Sequence, residues 1–169
     1  MNAATDRYGR LAATFHWVAA ALILLMLGSG FAATWGGLPV ALQLHLPAGI
    51  ALLVLTVARI LWALRDRRPP LPAGTPPWQG MVARTTHILL YVVPLGLVVS
   101  GMGMVIISDA AAAIFAGAPL PDFDTLLLRV PHGLGARLLL ALLALHIGAA
   151  LYHQWVLRDR LLARMRLGA

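Results

Sequence analysis

The sequence predicts an all-α membrane protein, a four-transmembrane-helix bundle forming one membrane domain over residues 1–169. The chain is 60% hydrophobic and only 11% charged, and its mean hydropathy of +0.83 lies beyond what water-soluble domains reach. Charge-free windows cover residues 11–58, broken by a Gly- and Pro-bearing patch at 28–39, then 85–108 and 138–157. Together they supply four stretches of the roughly 20 apolar residues that a crossing needs.

The first helix is expected over residues 10–34. The run after Arg10 is too long for a signal-peptide core and has no cleavage site followed by a soluble domain. The second is expected over 42–65, with Pro47 one turn into it, where a proline is tolerated. Residues 67–77 hold five of the eleven prolines and read as a linker. The third helix is expected over 83–107, kinked at Pro94 with neighbouring helices satisfying the freed carbonyl. A long connection leads to the fourth, over 131–158. No internal repeat stands out along the chain.

All thirteen basic residues are arginine and all six acids are aspartate. Arg7 and Arg10 precede the first helix, Arg65, Arg67, Arg68 and Arg84 lie between the second and third, and Arg158, Arg160, Arg164 and Arg166 follow the fourth. The positive-inside rule therefore puts both termini and the second-to-third connection in the cytoplasm. The first-to-second connection is uncharged, and the third-to-fourth carries Asp109, Asp122, Asp124 and Arg129. The net charge of +7 thus reports topology and not a nucleic-acid partner. The absence of cysteine excludes disulfides, iron–sulfur clusters and thiolate catalysis.

Histidine is costly inside a bilayer, so a chain this apolar with six of them needs a shared reason for the set. His132 and His146 are fourteen residues apart on the fourth helix, about 21 Å and nearly four whole turns, so they face almost the same way at two depths. His45, at the outer end of the second helix, is the matching partner for His132. His16, from the cytoplasmic half of the first, pairs with His146. Counting rises leaves His146 about 8 Å farther from the cytoplasmic boundary than His16, which tilt or a fourth helix extending beyond the bilayer absorbs. Two stacked haems, each with two axial histidines, account for the set. Such ligation saturates the iron and suits outer-sphere electron transfer.

A polar interhelical contact would explain any single histidine, but not four at matched depths. Zinc fits poorly, because His132 and His146 are too far apart to share one ion. Gly49, one turn after His45, and Gly101 with Gly103 fit either porphyrin against backbone or ordinary close helix packing.

His16-Trp17, His45 with Gly49, Arg59, His87 with Tyr91, His132, and the stretch from Leu145-His146 through His153-Gln154-Trp155 together resemble the bacterial cytochrome b561 family. The resemblance covers essentially the whole chain. It implies two haem b groups and ligands from the first, second and fourth helices: His16 with His146, and His45 with His132.

His87 and His153 fall near the cytoplasmic interface. Imidazole can hydrogen-bond a quinone carbonyl and supply a proton near neutral pH, so this pair is the candidate ubiquinone site. Interfacial histidines bonded to lipid or water are the plainer reading. Arg59, fourteen residues after His45, suits a haem propionate partner or a snorkelling helix end. Arg129 and Arg137 flank His132. Arg129, set against the positive-inside trend, is the candidate catalytic residue that attracts an anion such as superoxide, although Asp122 and Asp124 weaken that field.

The expected function, resembling the superoxide oxidases of that family, is a superoxide:ubiquinone oxidoreductase in the lipid bilayer. The alternative is a haem-b membrane anchor subunit receiving electrons from a periplasmic metalloprotein docked on Phe115, Asp122, Phe123 and Asp124. A third reading is a haemless transporter or scaffold with a histidine proton path.

Overall fold

The computed structural model describes residues 7–65, 69–70 and 74–167. Its helices are α1 (Arg10–Thr34), α2 (Leu42–Ala63), α3 (Pro77–Ile107), α4 (Ala110–Ala116) and α5 (Arg129–Tyr152). A 3-10 turn, Pro39–Ala41, runs into α2, and a π turn, His153–Leu157, prolongs α5. With these extensions α1, α2, α3 and α5 span 25, 25, 31 and 29 residues, each long and apolar enough to cross a membrane.

The third spanning helix starts at Pro77, not at the expected residue 83. Proline at the first helical position loses only an N–H that has no intrahelical partner and brings a helical φ with it, so the last proline of the linker starts the helix. Helix α3 then continues through the buried Pro94. Helix α4 was not expected. The run Ala110–Ala113 has the highest helix propensity of any residue type, and left-handed backbone at Asp109 (φ 49°) and Gly117 (φ 72°) bounds the helix. Its buried residues are Ala110 and Ile114, and the Gln43 amide donates to the Ile114 carbonyl at 2.9 Å. The connection between α3 and α5 is therefore partly ordered against the start of α2.

Helix α1 packs chiefly on α2 and α3 chiefly on α5, and α2 meets α3 between the two hairpins. Few side chains are fully buried. Ile23, Leu52 and Leu139 form the centre, with Met26, Leu97 and Leu143 packed around them. Large apolar residues such as Leu24, Val54, Val99 and Ile106 point outward, as expected where lipid tails and not water surround the bundle.

One end of the bundle gathers both termini. After His153–Leu157 the chain turns back at Arg158 and Arg160, both with positive φ (56° and 58°), and Asp159 accepts from the Leu161 N–H at 3.1 Å. The returning 3-10 segment Leu161–Met165 is tied down at three points. The Trp17 indole N–H donates to the Met165 carbonyl at 2.8 Å, the Tyr8 N–H to Arg164 O at 3.1 Å, and Arg164 Nη1 to Pro70 O at 2.7 Å. The 35–41 and 108–128 connections lie at the opposite end.

Trp17→Phe keeps the ring and removes the indole donor. It is expected to speed tryptic cleavage at Arg164 and Arg166 several-fold in detergent, because the returning segment then opens more often; an unchanged cleavage rate would show that the bond does not hold the segment down.

Candidate functional site

The helices bring the histidines together as two facing pairs. At the end away from the termini, His45 in the first turn of α2 faces His132 in the first turn of α5, with ring centroids 6.2 Å apart. Nearer the termini, His16 of α1 faces His146 of α5 at 6.1 Å. An imidazole nitrogen binds a first-row metal at about 2 Å and lies about 1.1 Å from its ring centre, so imidazoles trans across one iron have centroids about 6.2 Å apart. Both pairs fit that spacing. Leu139, half-way between His132 and His146, belongs to the apolar centre with Leu52 and Ile23 that separates the two levels.

The outer imidazoles are closely held. His45 Nδ1 lies 3.0 Å from Ser29 Oγ, and His132 Nδ1 lies 3.0 Å from Ser100 Oγ. His132 Nδ1 also meets the Leu97 carbonyl at 3.0 Å, and His45 meets the Met26 carbonyl. A Cβ built on Gly30 or on Gly101 would stand 3.0 Å from Cε1 of His45 or His132 respectively, so each ring edge lies against bare backbone. Of the glycines named from sequence, Gly101 thus adjoins a ring, whereas Gly49 adjoins Met26 and Gly103 adjoins Leu128.

Ser29, Gly30 and Ser100 were missed in sequence, and so was the repeat that carries them. Thr14-x-His16 is followed thirteen residues after the histidine by Ser29-Gly30 on α1, and Thr85-x-His87 by Ser100-Gly101 on α3 at the same spacing. Likewise His45, Leu52 and Arg59 on α2 match His132, Leu139 and His146 on α5, each in steps of seven. The hairpin α1–α2 and the pair α3–α5 are two versions of one unit, which corrects the expectation of no internal repeat. The matching residues are few and sit among interchangeable apolar ones, so spacing alone could have revealed them.

The versions differ at the terminal end, where Arg59 occupies the position matching His146. The Arg59 guanidinium lies over the Tyr91 ring, 5.0 Å from its centroid. His87, the counterpart of His16, lies 5.4 Å from His146 between centroids, closer than two imidazoles sharing an iron stand. His153 is engaged elsewhere. Its Nδ1 is 2.5 Å from Asp159 Oδ2, so His87 and His153 have different neighbours. Among the described residues, no group of three or more His, Asp or Glu side chains is placed to hold a bare metal ion.

A cavity of about 370 Å³ at the end away from the termini is lined by His45, His132, Gly30, Gly101, Arg129 and Arg137. Arg129 Nε pairs with Asp124 at 3.0 Å, and Arg137 lies 6.0 Å from the ring centre of Trp35, which stacks on Phe31. A Cβ on Gly133 would be 3.4 Å from Arg129 Nη1 and 3.5 Å from Arg137 Nη1. Two cations therefore meet beside His132, and one of them, Arg129, pairs with a carboxylate.

A family model described as prokaryotic cytochrome b561 matches residues 7–168. The chain is 30% identical over 168 residues to a protein of Yersinia pestis named "Probable superoxide oxidase CybB", covering 94% of this chain and 95% of that one. It is 34% identical over 167 residues to "Cytochrome b562" of Cereibacter sphaeroides, covering 94% of each. It is also 31% identical over 129 residues to "Cytochrome b561 homolog 1" of Escherichia coli, covering 73% of each.

Gly30→Val and Gly101→Val place methyl groups against the outer rings. Each is expected to lower the haem b bound per chain in a pyridine haemochromogen assay, while Gly28→Val, whose Cβ meets nothing within 4 Å, retains it. Equal haem content in all three would contradict the close fit at the outer pair.

Proposed function

The chain belongs to the prokaryotic cytochrome b561 family, and from that premise we propose that it is a superoxide:ubiquinone oxidoreductase with two haem b groups stacked across the bilayer. The family makes it a haem-b, multi-pass membrane electron-transfer protein. The observation that carries the fuller reading is the pair of imidazole spacings, 6.1 and 6.2 Å. In this reading His45 and His132 hold the outer haem, and His16 and His146 the inner. When bound, the haems supply one-electron carriers at two depths, with no open coordination position.

The remaining roles belong to side chains. Positive-inside placement of the arginines puts the terminal end in the cytoplasm, so the outer cavity faces the periplasm. There Arg129 and Arg137 attract the superoxide anion to the cavity mouth, and the Asp124 pair moderates that field. Two superoxide anions give up one electron each and leave as dioxygen. Ubiquinone takes both electrons with two protons and becomes ubiquinol. The protons are delivered at the cytoplasmic end, where His87 adjoins His146 and His153 pairs with Asp159. Arg59 supplies a positive charge beside Tyr91 for a haem propionate. The relative named a probable superoxide oxidase supports superoxide as the donor.

Stopped-flow mixing of the purified protein with superoxide is expected to reduce haem b, and a short-chain quinone to reoxidise it. His153→Ala should keep the haem spectrum and slow the reoxidation by about tenfold or more, the range for losing a positioned proton donor. Inertness to superoxide, with fast reduction by a periplasmic protein, would assign the outer face to protein docking instead.

A further inference from the structure

We infer that Ser29 and Ser100 are positioning residues that fix the outer imidazoles in one tautomer and lower the reduction potential at the outer level relative to the inner. The inference rests on the ligation proposed above. A hydroxyl has one proton to donate. The Ser29 proton is turned to the carbonyls of Leu25 (2.6 Å) and Met26 (3.3 Å), and the Ser100 proton to those of Gly96 (2.8 Å) and Leu97 (3.1 Å). With that proton on a carbonyl of its own helix, each serine accepts from the histidine. The Leu97 carbonyl, which also meets His132 Nδ1 at 3.0 Å, can only accept. In this arrangement both Nδ1 atoms carry the proton, and both Nε2 atoms keep a bare lone pair for iron.

An N–H held by a hydroxyl oxygen, and at His132 by a carbonyl as well, makes its ring a stronger donor to metal, which favours ferric over ferrous iron. The serine bond occurs twice, from matching positions of the repeat on α1 and α3, and each serine is buried and followed by the glycine that admits the ring. Serine back-bonding to its own helix is common in membrane helices. A second bond at 3.0 Å to a histidine at both places is the added feature. No counterpart holds His16 or His146 among the described residues. The asymmetry makes transfer from the periplasmic to the cytoplasmic level the downhill direction.

The test is a redox titration of the holoprotein with the two haem b waves followed separately, after wild-type haem content is measured. Ser29→Ala and Ser100→Ala are each expected to shift only the outer wave toward reduction, changing its reduced-to-oxidised ratio at a fixed potential by roughly two- to tenfold, the net worth of one hydrogen bond. Ser→Thr, which keeps the hydroxyl, should restore the wild-type wave, and the ferric low-spin EPR signal of the outer haem alone should move in the alanine variants. Ser→Cys offers a graded variant, with a weaker acceptor of similar shape, expected to shift the wave part of the way; if alanine costs the protein its haem, an unmoved wave in Ser→Cys overturns the inference. Two haems with both waves unmoved, or both moved equally, also overturns it and leaves the ligation reading intact. Fewer than two haems in the wild type overturns the ligation reading itself.

Discussion

Two imidazoles facing each other across about 6 Å, twice over in a hydrocarbon interior, are the constraint that the rest of the molecule serves. A polar ring in lipid is stable only if each nitrogen has a partner, and each ring must also keep a fixed distance from its opposite. At the outer level the Nδ1 side is met by serine and carbonyl oxygens, while bare backbone at Gly30 and Gly101 sets the ring edges. The apolar centre of Ile23, Leu52 and Leu139 then does two things at once. It packs the bundle, and it keeps the two levels apart.

The repeat explains how so short a chain builds such a site. One two-helix unit presents a histidine and a Ser-Gly step on its first helix and a histidine and a leucine, in seven-residue steps, on its second. Two units face to face give the symmetric outer pair directly. The inner end is where the units diverge. Arg59 replaces one imidazole, leaving His16, His87 and His146 as three rings beside one guanidinium. An electron-entry end needs only a cavity and positive charge. The divergence leaves a third ring, His87, beside the facing pair at the terminal end.

Much of this was legible in the sequence. Four spans followed from apolar runs because a bilayer tolerates little else, and the facing of His16 with His146 and of His45 with His132 followed from helical rise and a fourteen-residue spacing. The start of α3 was not legible, because Trp78, Gln79 and Gly80 look like linker until Pro77 is seen at the first helical position. Helix α4 was hidden because alanines on a loop carry no periodic pattern. Ser29 and Ser100 were hidden for another reason. A serine in an apolar helix has an ordinary use in bonding its own backbone, and only the approach of a histidine from a neighbouring helix gives it a second one. The pairing of Arg129 with Asp124 and of His153 with Asp159 likewise depended on loop geometry.

Haem stoichiometry tests the central claim most directly. Quantified against protein mass, the wild-type chain should bind two haem b groups, and His132→Ala and His16→Ala should each bind one, with different remaining spectra because each loses a different level. One haem in the wild type, or two retained in either variant, would contradict the assignment of the two facing pairs.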